Sequence, residues 1–169
     1  MIIDAHYHLD PRVETAERLM TEMQRFGVER VALIASVVEP FSLGGAAHRV
    51  GQVMRSALAG RWPAAGRMMY RSTVTDDGKF ALLGDEYRIY DEPDNDPIQQ
   101  LLESFPDWFW GWIFVNPSVH DAVQVAERYA VWPGWIGVKA HPFWHRYPVA
   151  DLAPVAEWCE QRDKPLLVH

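Results

Sequence analysis

The chain has 169 residues, 49% of them hydrophobic and 23% charged, with a formal net charge of −7 at pH 7. That length sets an expectation of one domain, and that apolar fraction excludes a disordered chain. The acidic balance, with Lys79, Lys139 and Lys164 the only lysines, argues against a nucleic-acid footprint, which needs clustered Lys and Arg. A single cysteine, Cys159, rules out an intramolecular disulfide framework and fits a reducing compartment. Asp4 interrupts the apolar N-terminus, and no stretch approaches the roughly 18 apolar residues of a membrane span. The expectation is a soluble cytoplasmic protein with neither membrane nor nucleic acid as partner.

In chain order, Ile2 and Ile3 open a short strand ending near His8. Ala16, Leu19, Met20, Met23 and Phe26 then share one face of a 3.6-residue period, and Gly27 is the stop. Residues 31–38 are an apolar run, broken only by Ser36 and bounded by Pro40, read as a strand buried on both faces. Residues 39–95 break this rhythm. A helical stripe at Val50, Val53, Met54 and Ala57 leads into a polar stretch containing Gly and Asp, so the segment reads as an insertion. Asp96-Pro97 reads as an N-cap followed by a proline at the first helical position. The aromatic run Trp108-Phe109-Trp110-Gly111-Trp112 reads as core or pocket wall.

Residues 113–115 form a short strand closed by Asn116-Pro117. Ser118 and Asp121 have capping-box spacing ahead of a stripe of Ala122, Val125, Ala126 and Tyr129. Gly134 precedes a strand over 135–138. Asp151 is placed to cap a helix with Leu152, Val155, Ala156 and Cys159 on its face, and a fifth strand opens at Leu166. Strands alternating with helices of this length mean βαβ units and a parallel sheet.

The chemistry gathers at strand ends. His6 and His8 are two apart, so they share a strand face and can reach one metal ion; Asp4 is expected on that face, deeper in. His141 follows the fourth strand and His169 the fifth. Three of the five expected strands thus end in histidine, where parallel α/β folds collect functional groups. Neutral imidazole is the commonest metal ligand.

The segments Ile3-Asp4-Ala5-His6-Tyr7-His8, Val115-Asn116-Pro117, Gly137-Val138-Lys139-Ala140-His141-Pro142 and Pro165-Leu166-Leu167-Val168-His169 together resemble the amidohydrolase superfamily. The similar branch is the amidohydrolase-related one, which also contains metal-dependent decarboxylases. The resemblance implies an α/β fold, a parallel (β/α) barrel of TIM type. This chain would supply about the first five strands of eight, as the N-terminal part of one (β/α)8 metal-dependent hydrolase domain over 1–169. It implies a divalent metal, usually zinc, held by His6, His8 and His169. His141, Lys139 and Asp4 are candidates for a further ligand or a supporting contact. The catalytic acid and base of the family would lie beyond His169. Trp144 and Arg146 are candidates for substrate contact, Arg146 toward a carboxylate. The expected activity is hydrolysis, or decarboxylation, of a small organic substrate, and the expected partners are that substrate and further copies of the chain. Two other readings stand beside it: a non-catalytic fragment with a residual histidine metal site, and a PHP-type phosphoesterase, which also opens on an Asp-x-His-x-His strand.

Overall fold

The computed structural model describes residues 2–40, 53, 64, 68, 73–82 and 85–169. The apolar runs form strands β1 (Ile3–Leu9), β2 (Arg30–Ala35), β5 (Phe109–Val115), β6 (Trp135–Ala140) and β7 (Leu166–Val168), all parallel, in one sheet of order β1-β2-β5-β6-β7. Each new strand adds beside the one before it. Right-handed crossovers then put every connecting helix on the same face and leave the other face free to line an interior. A doubly wound sheet would instead reverse its strand order.

The helices between these strands are α1 (Ala16–Phe26), α2 (Asp96–Ser104), α3 (Ala122–Ala130), the four-residue α4 (Pro142–His145) and α5 (Ala153–Gln161). The α1 helix starts where the Thr15 hydroxyl accepts from the Arg18 N–H and ends at Gly27, whose φ of 68° suits a residue without Cβ. Ala16, Leu19 and Met23 are buried as the stripe requires, but Phe26, the last residue of the helix, is exposed with the Arg25 guanidinium over its ring.

Three expectations about helix starts are corrected. Asp121 caps α3 alone, accepting from Val123 and Gln124, while Ser118 bonds the Asn116 side chain instead. Asp151 lies inside a 3-10 turn (Val149–Leu152), so Leu152 occupies the N-cap of α5; Trp158 takes the buried place expected of Ala156, which is exposed.

The third correction concerns α2, whose N-cap is Asn95, not Asp96. The Asn95 side chain makes no cap. Its amide donates to the Phe114 carbonyl and its oxygen accepts from the Phe114 N–H, each at 2.9 Å, so one buried side chain imitates a neighbouring strand at the end of β5. Asn95→Leu would leave both Phe114 groups buried without partners. It is expected to cost about 2–4 kcal/mol by urea unfolding, and a loss within experimental error would contradict this role.

The strand expected over 113–115 begins earlier, at Phe109, and takes in most of the aromatic run: Phe109 and Trp112 are buried. Two strands went unrecognised. The β3 (Lys79–Leu82) and β4 (Asp85–Arg88) segments form an antiparallel hairpin, in register from Lys79 with Arg88 to Leu82 with Asp85. Contacts divide the chain into two compact units, Met1–Val37 with Asp91–His169, and Val38–Tyr90. The hairpin belongs to the second unit. Of the helical stripe expected there, Val53 is helical and exposed, and Val50, Met54 and Ala57 lie outside the described residues. No described helix is long and apolar enough to cross a membrane.

Candidate metal centre

β1 and β7 stand at opposite ends of the sheet order. In a flat sheet they would lie four strand spacings apart, about 19 Å. Yet the His6 ring on β1 and the His169 ring just after β7 meet edge to face, 5.3 Å between centroids. The sheet is therefore curled, and the strands' C-terminal ends converge on its inner side.

Within β1 the pairing with β2 slips by one residue. Asp4 pairs with Val31 and Tyr7 with Leu33, so three steps on β1 match two on β2. This bulge leaves Ala5 and His6 without register partners and re-aims the strand locally. The expectation that Asp4 simply shares a face with His6 and His8 presumed unbroken alternation, which the bulge breaks. Asp4 turns back to accept from the His6 N–H at 3.0 Å.

His6 and His8 present their Nε2 atoms to each other at 3.2 Å. Two metal–nitrogen bonds of about 2.0–2.1 Å at a tetrahedral angle span about 3.3 Å, so this pair has the bite of a chelate. His8 Nδ1 lies 3.1 Å from the Ala35 carbonyl. A carbonyl only accepts, so Nδ1 carries the proton and Nε2 keeps its lone pair, the tautomer a metal ligand needs.

Lys139 is fully buried on β6, with its Nζ 3.2 Å from His169 Nδ1 and 3.5 Å from His6 Nε2. It stands between the histidines of the two distant strands. Among the described residues no group of three His, Cys, Asp or Glu is arranged to hold a metal ion. The geometry accounts for this: His6 and His8 form the bite, while His169 turns its Nδ1 to the Lys139 amine. The donors present fit a divalent ion at His6 and His8, with His169 as the adjoining third imidazole.

Burial drives every group here toward its neutral form. It lowers His8 to about 4 and Lys139 to about 8, and it lowers His6 and His169 as well, with the Lys139 charge adding to the effect on each histidine. Neutral imidazole is the ligand state. The sign for stability follows. Below pH 6.5 the unfolded histidines take up protons that the folded ones refuse, so stability falls as pH drops from about 6.5 toward 4. Lys139 acts in the same direction between about pH 8 and 10.5. The urea midpoint of the metal-free protein is expected to be lower at pH 5 than at pH 7; an equal or higher value at pH 5 would contradict the assignment.

His141 is buried beside this cluster. Its Nδ1 accepts from the Trp144 backbone N–H at 3.2 Å, and its ring stacks on Trp144 and leans against His169, with centroids 4.8 and 4.7 Å away. A neutral ring accepting at Nδ1 carries its proton on Nε2, so His141 is disposed as a donor beside His169 rather than as a lone pair in the chelate. Burial, with His169, Lys139 and His145 nearby, lowers it to about 3. Trp144 is half-buried under that ring. Arg146 is exposed, ending α4 at a φ of 56°.

Two residues here were not singled out from the sequence. His145 is buried, its ring 5.6 Å from that of Phe114; its position four residues after His141 was the available signal. Trp112, hidden in an aromatic run, donates its indole N–H to the Ala5 carbonyl at 2.9 Å.

No protein-family model and no curated protein sequence matches the chain. A solved structure described as an amidohydrolase II is similar over all of this chain, with a TM-score of 0.53 and 15% sequence identity. The chain spans about half of that structure's length, 50%. At this identity the likeness concerns the fold alone: the sheet is a curled half-barrel, an incomplete α/β barrel of TIM type, and the fold is amidohydrolase-like.

Proposed function

We propose that the chain carries the histidine side of a metal-dependent hydrolase centre acting on a small organic substrate, with zinc as the resident ion. The observation that carries this reading is the convergence of His6, His8 and His169, from opposite ends of the sheet, on the C-terminal side of the strands. His6 and His8 would hold the ion through Nε2, and His169 would complete the set on release from Lys139. Bound there, the ion would lower the pKa of a coordinated water toward neutrality and so supply hydroxide.

The remaining work belongs to the chain itself. The Ala35 carbonyl fixes the His8 tautomer. Lys139, with a pKa near 8, can give or take a proton at Nζ within reach of two of the rings. Trp112 and Phe114, which share the sheet face of Lys139, are buried and keep water from the inner side of the sheet behind them. The Lys139 amine beside His6 and His169 would also place a positive charge behind a substrate carboxylate held at the ion, and this favours decarboxylation as the second reading. The activity of the whole protein, its cytoplasmic location and its assembly with further copies are proposed on the same footing.

The test is equilibrium dialysis against zinc, followed by a screen of esters, amides, aromatic carboxylic acids and phosphate esters. The expected result is one tightly held ion and turnover of an ester, amide or carboxylic acid. Turnover of phosphate esters alone would favour the PHP-type reading; bound zinc without turnover, the non-catalytic one. Absence of a bound ion would overturn the proposal.

A further inference from the structure

A bulge frees backbone groups that must find partners elsewhere. In β1 these belong to Ala5 and His6, which have no register partner on β2. Asp4 serves the His6 N–H from within the strand. The Ala5 carbonyl is served from much farther away, by the indole N–H of Trp112 on β5, two strands along the sheet. Two strand spacings are about 10 Å in a flat sheet, so only an indole lying across the concave face can make this bond.

Its ring is held there by an absence. Trp112 pairs with Gly137 on β6, where a Cβ would lie 2.7 Å from the Trp112 ring and 2.4 Å from the Pro165 carbonyl. The indole therefore packs on β6, grows from β5 and bonds β1 at the residue before His6. Trp112 is buried, and a buried indole N–H normally finds a partner. What is informative is which partner: a carbonyl inside the bulge that sets the His6 direction.

We propose that Trp112 is a positioning residue for the histidine centre, its indole N–H holding the β1 bulge in the form that turns His6 Nε2 toward His8 Nε2. This rests on the metal-site reading above for its functional meaning, though not for its geometry. A phenylalanine at 112 would fill much of the space and still leave the Ala5 carbonyl without its donor.

The test replaces Trp112 with β-(3-benzothienyl)alanine, which keeps the ring shape and has no N–H, alongside Trp112→Phe and a Trp110→Phe control. Cobalt(II) titration and the NOE between the His6 and His8 rings in the metal-free protein are the two readouts. The expected result is cobalt affinity weakened about tenfold or more, as for loss of an outer-shell partner, with the ring NOE lost and the Trp110→Phe control unchanged. Unchanged affinity with a retained NOE would overturn the proposal. If the unaltered protein binds no cobalt, the metal reading falls and the NOE alone decides: its loss in the isostere upholds the positioning role, its retention refutes it. Should both Trp112 variants fail to fold, hydrogen exchange in the unaltered protein decides. Zinc should slow exchange of the Trp112 indole N–H if the bond and the centre are coupled, and leave it unchanged if they are not.

Discussion

Replacing His8 by alanine is expected to abolish zinc binding in any practical range while leaving the fold in place. His8 supplies one half of the His6–His8 pair, whose Nε2 atoms lie at the spacing of a chelate. It is also the ring whose tautomer is set in advance by a backbone carbonyl. Loss of an outer-shell partner alone typically weakens metal affinity about 10–100-fold, so loss of the ligand itself should exceed that range. His8 lies on a sheet-edge strand with its ring among the polar groups of the site and not in the apolar core, so its removal opens no core cavity. Calorimetric titration with zinc checks this beside thermal melting of the metal-free variant. Near-normal affinity in a folded His8→Ala protein would show that the pair is a hydrogen-bonded couple and nothing more.

The largest expected effect on stability comes from Gly137→Ala. Gly137 sits inside β6, where an added methyl would meet the Pro165 carbonyl at 2.4 Å as well as the Trp112 ring. A flexible side chain could swing aside; a backbone carbonyl next to the β6–β7 pairing cannot move without shifting β7. Overpacking in a core costs about 1–3 kcal/mol, occasionally more, and a backbone clash belongs at or above the upper end. Urea unfolding should register about 3 kcal/mol or more. His169 follows β7 directly, so the same variant should also weaken zinc binding. A variant as stable as the parent would mean that the two strands have slack the geometry does not show.

Much of this architecture is written in local patterns. The strand expected over 31–38 is found as β2, which ends at Ala35 before Ser36; its residues 31–35 are apolar at every position because β2 is covered on both faces, a pattern legible without knowledge of its neighbours. The α1 and α3 stripes are legible for the same reason, as is the α1 stop at Gly27; α3, for which Gly134 is the expected stop, ends earlier, at Ala130 with Val131 as its C-cap. The H-x-H pair and the histidine after the last strand could be named because strand ends are where parallel folds collect reactive groups.

What escaped reading depends on residues far apart in the chain. The β1 bulge is settled by Trp112, 107 positions away from Ala5, and no periodicity in residues 3–9 announces it. Lys139 is a candidate ligand or supporting contact by resemblance, but its place between His6 and His169 comes only from the curling of the sheet. Asn95 looks like a helix cap by type and spends its amide on Phe114 instead, on the side of β5 where pairing with β2 has ended at Trp112. The exposed positions of Phe26 and Ala156 show the same limit from the other side: an apolar position on a helix stripe is buried only where another element covers it.

The central claim is that imidazoles from opposite ends of the sheet converge on one divalent ion. X-ray absorption at the zinc edge tests it most directly on protein loaded with one equivalent of zinc. The expected spectrum has nitrogen neighbours at about 2.0–2.1 Å with the outer-shell scattering of at least two imidazoles, rising to three with His169. In His6→Ala and His169→Ala proteins one imidazole should disappear from that count. A zinc shell without imidazole scattering, or one indifferent to both substitutions, would contradict the account.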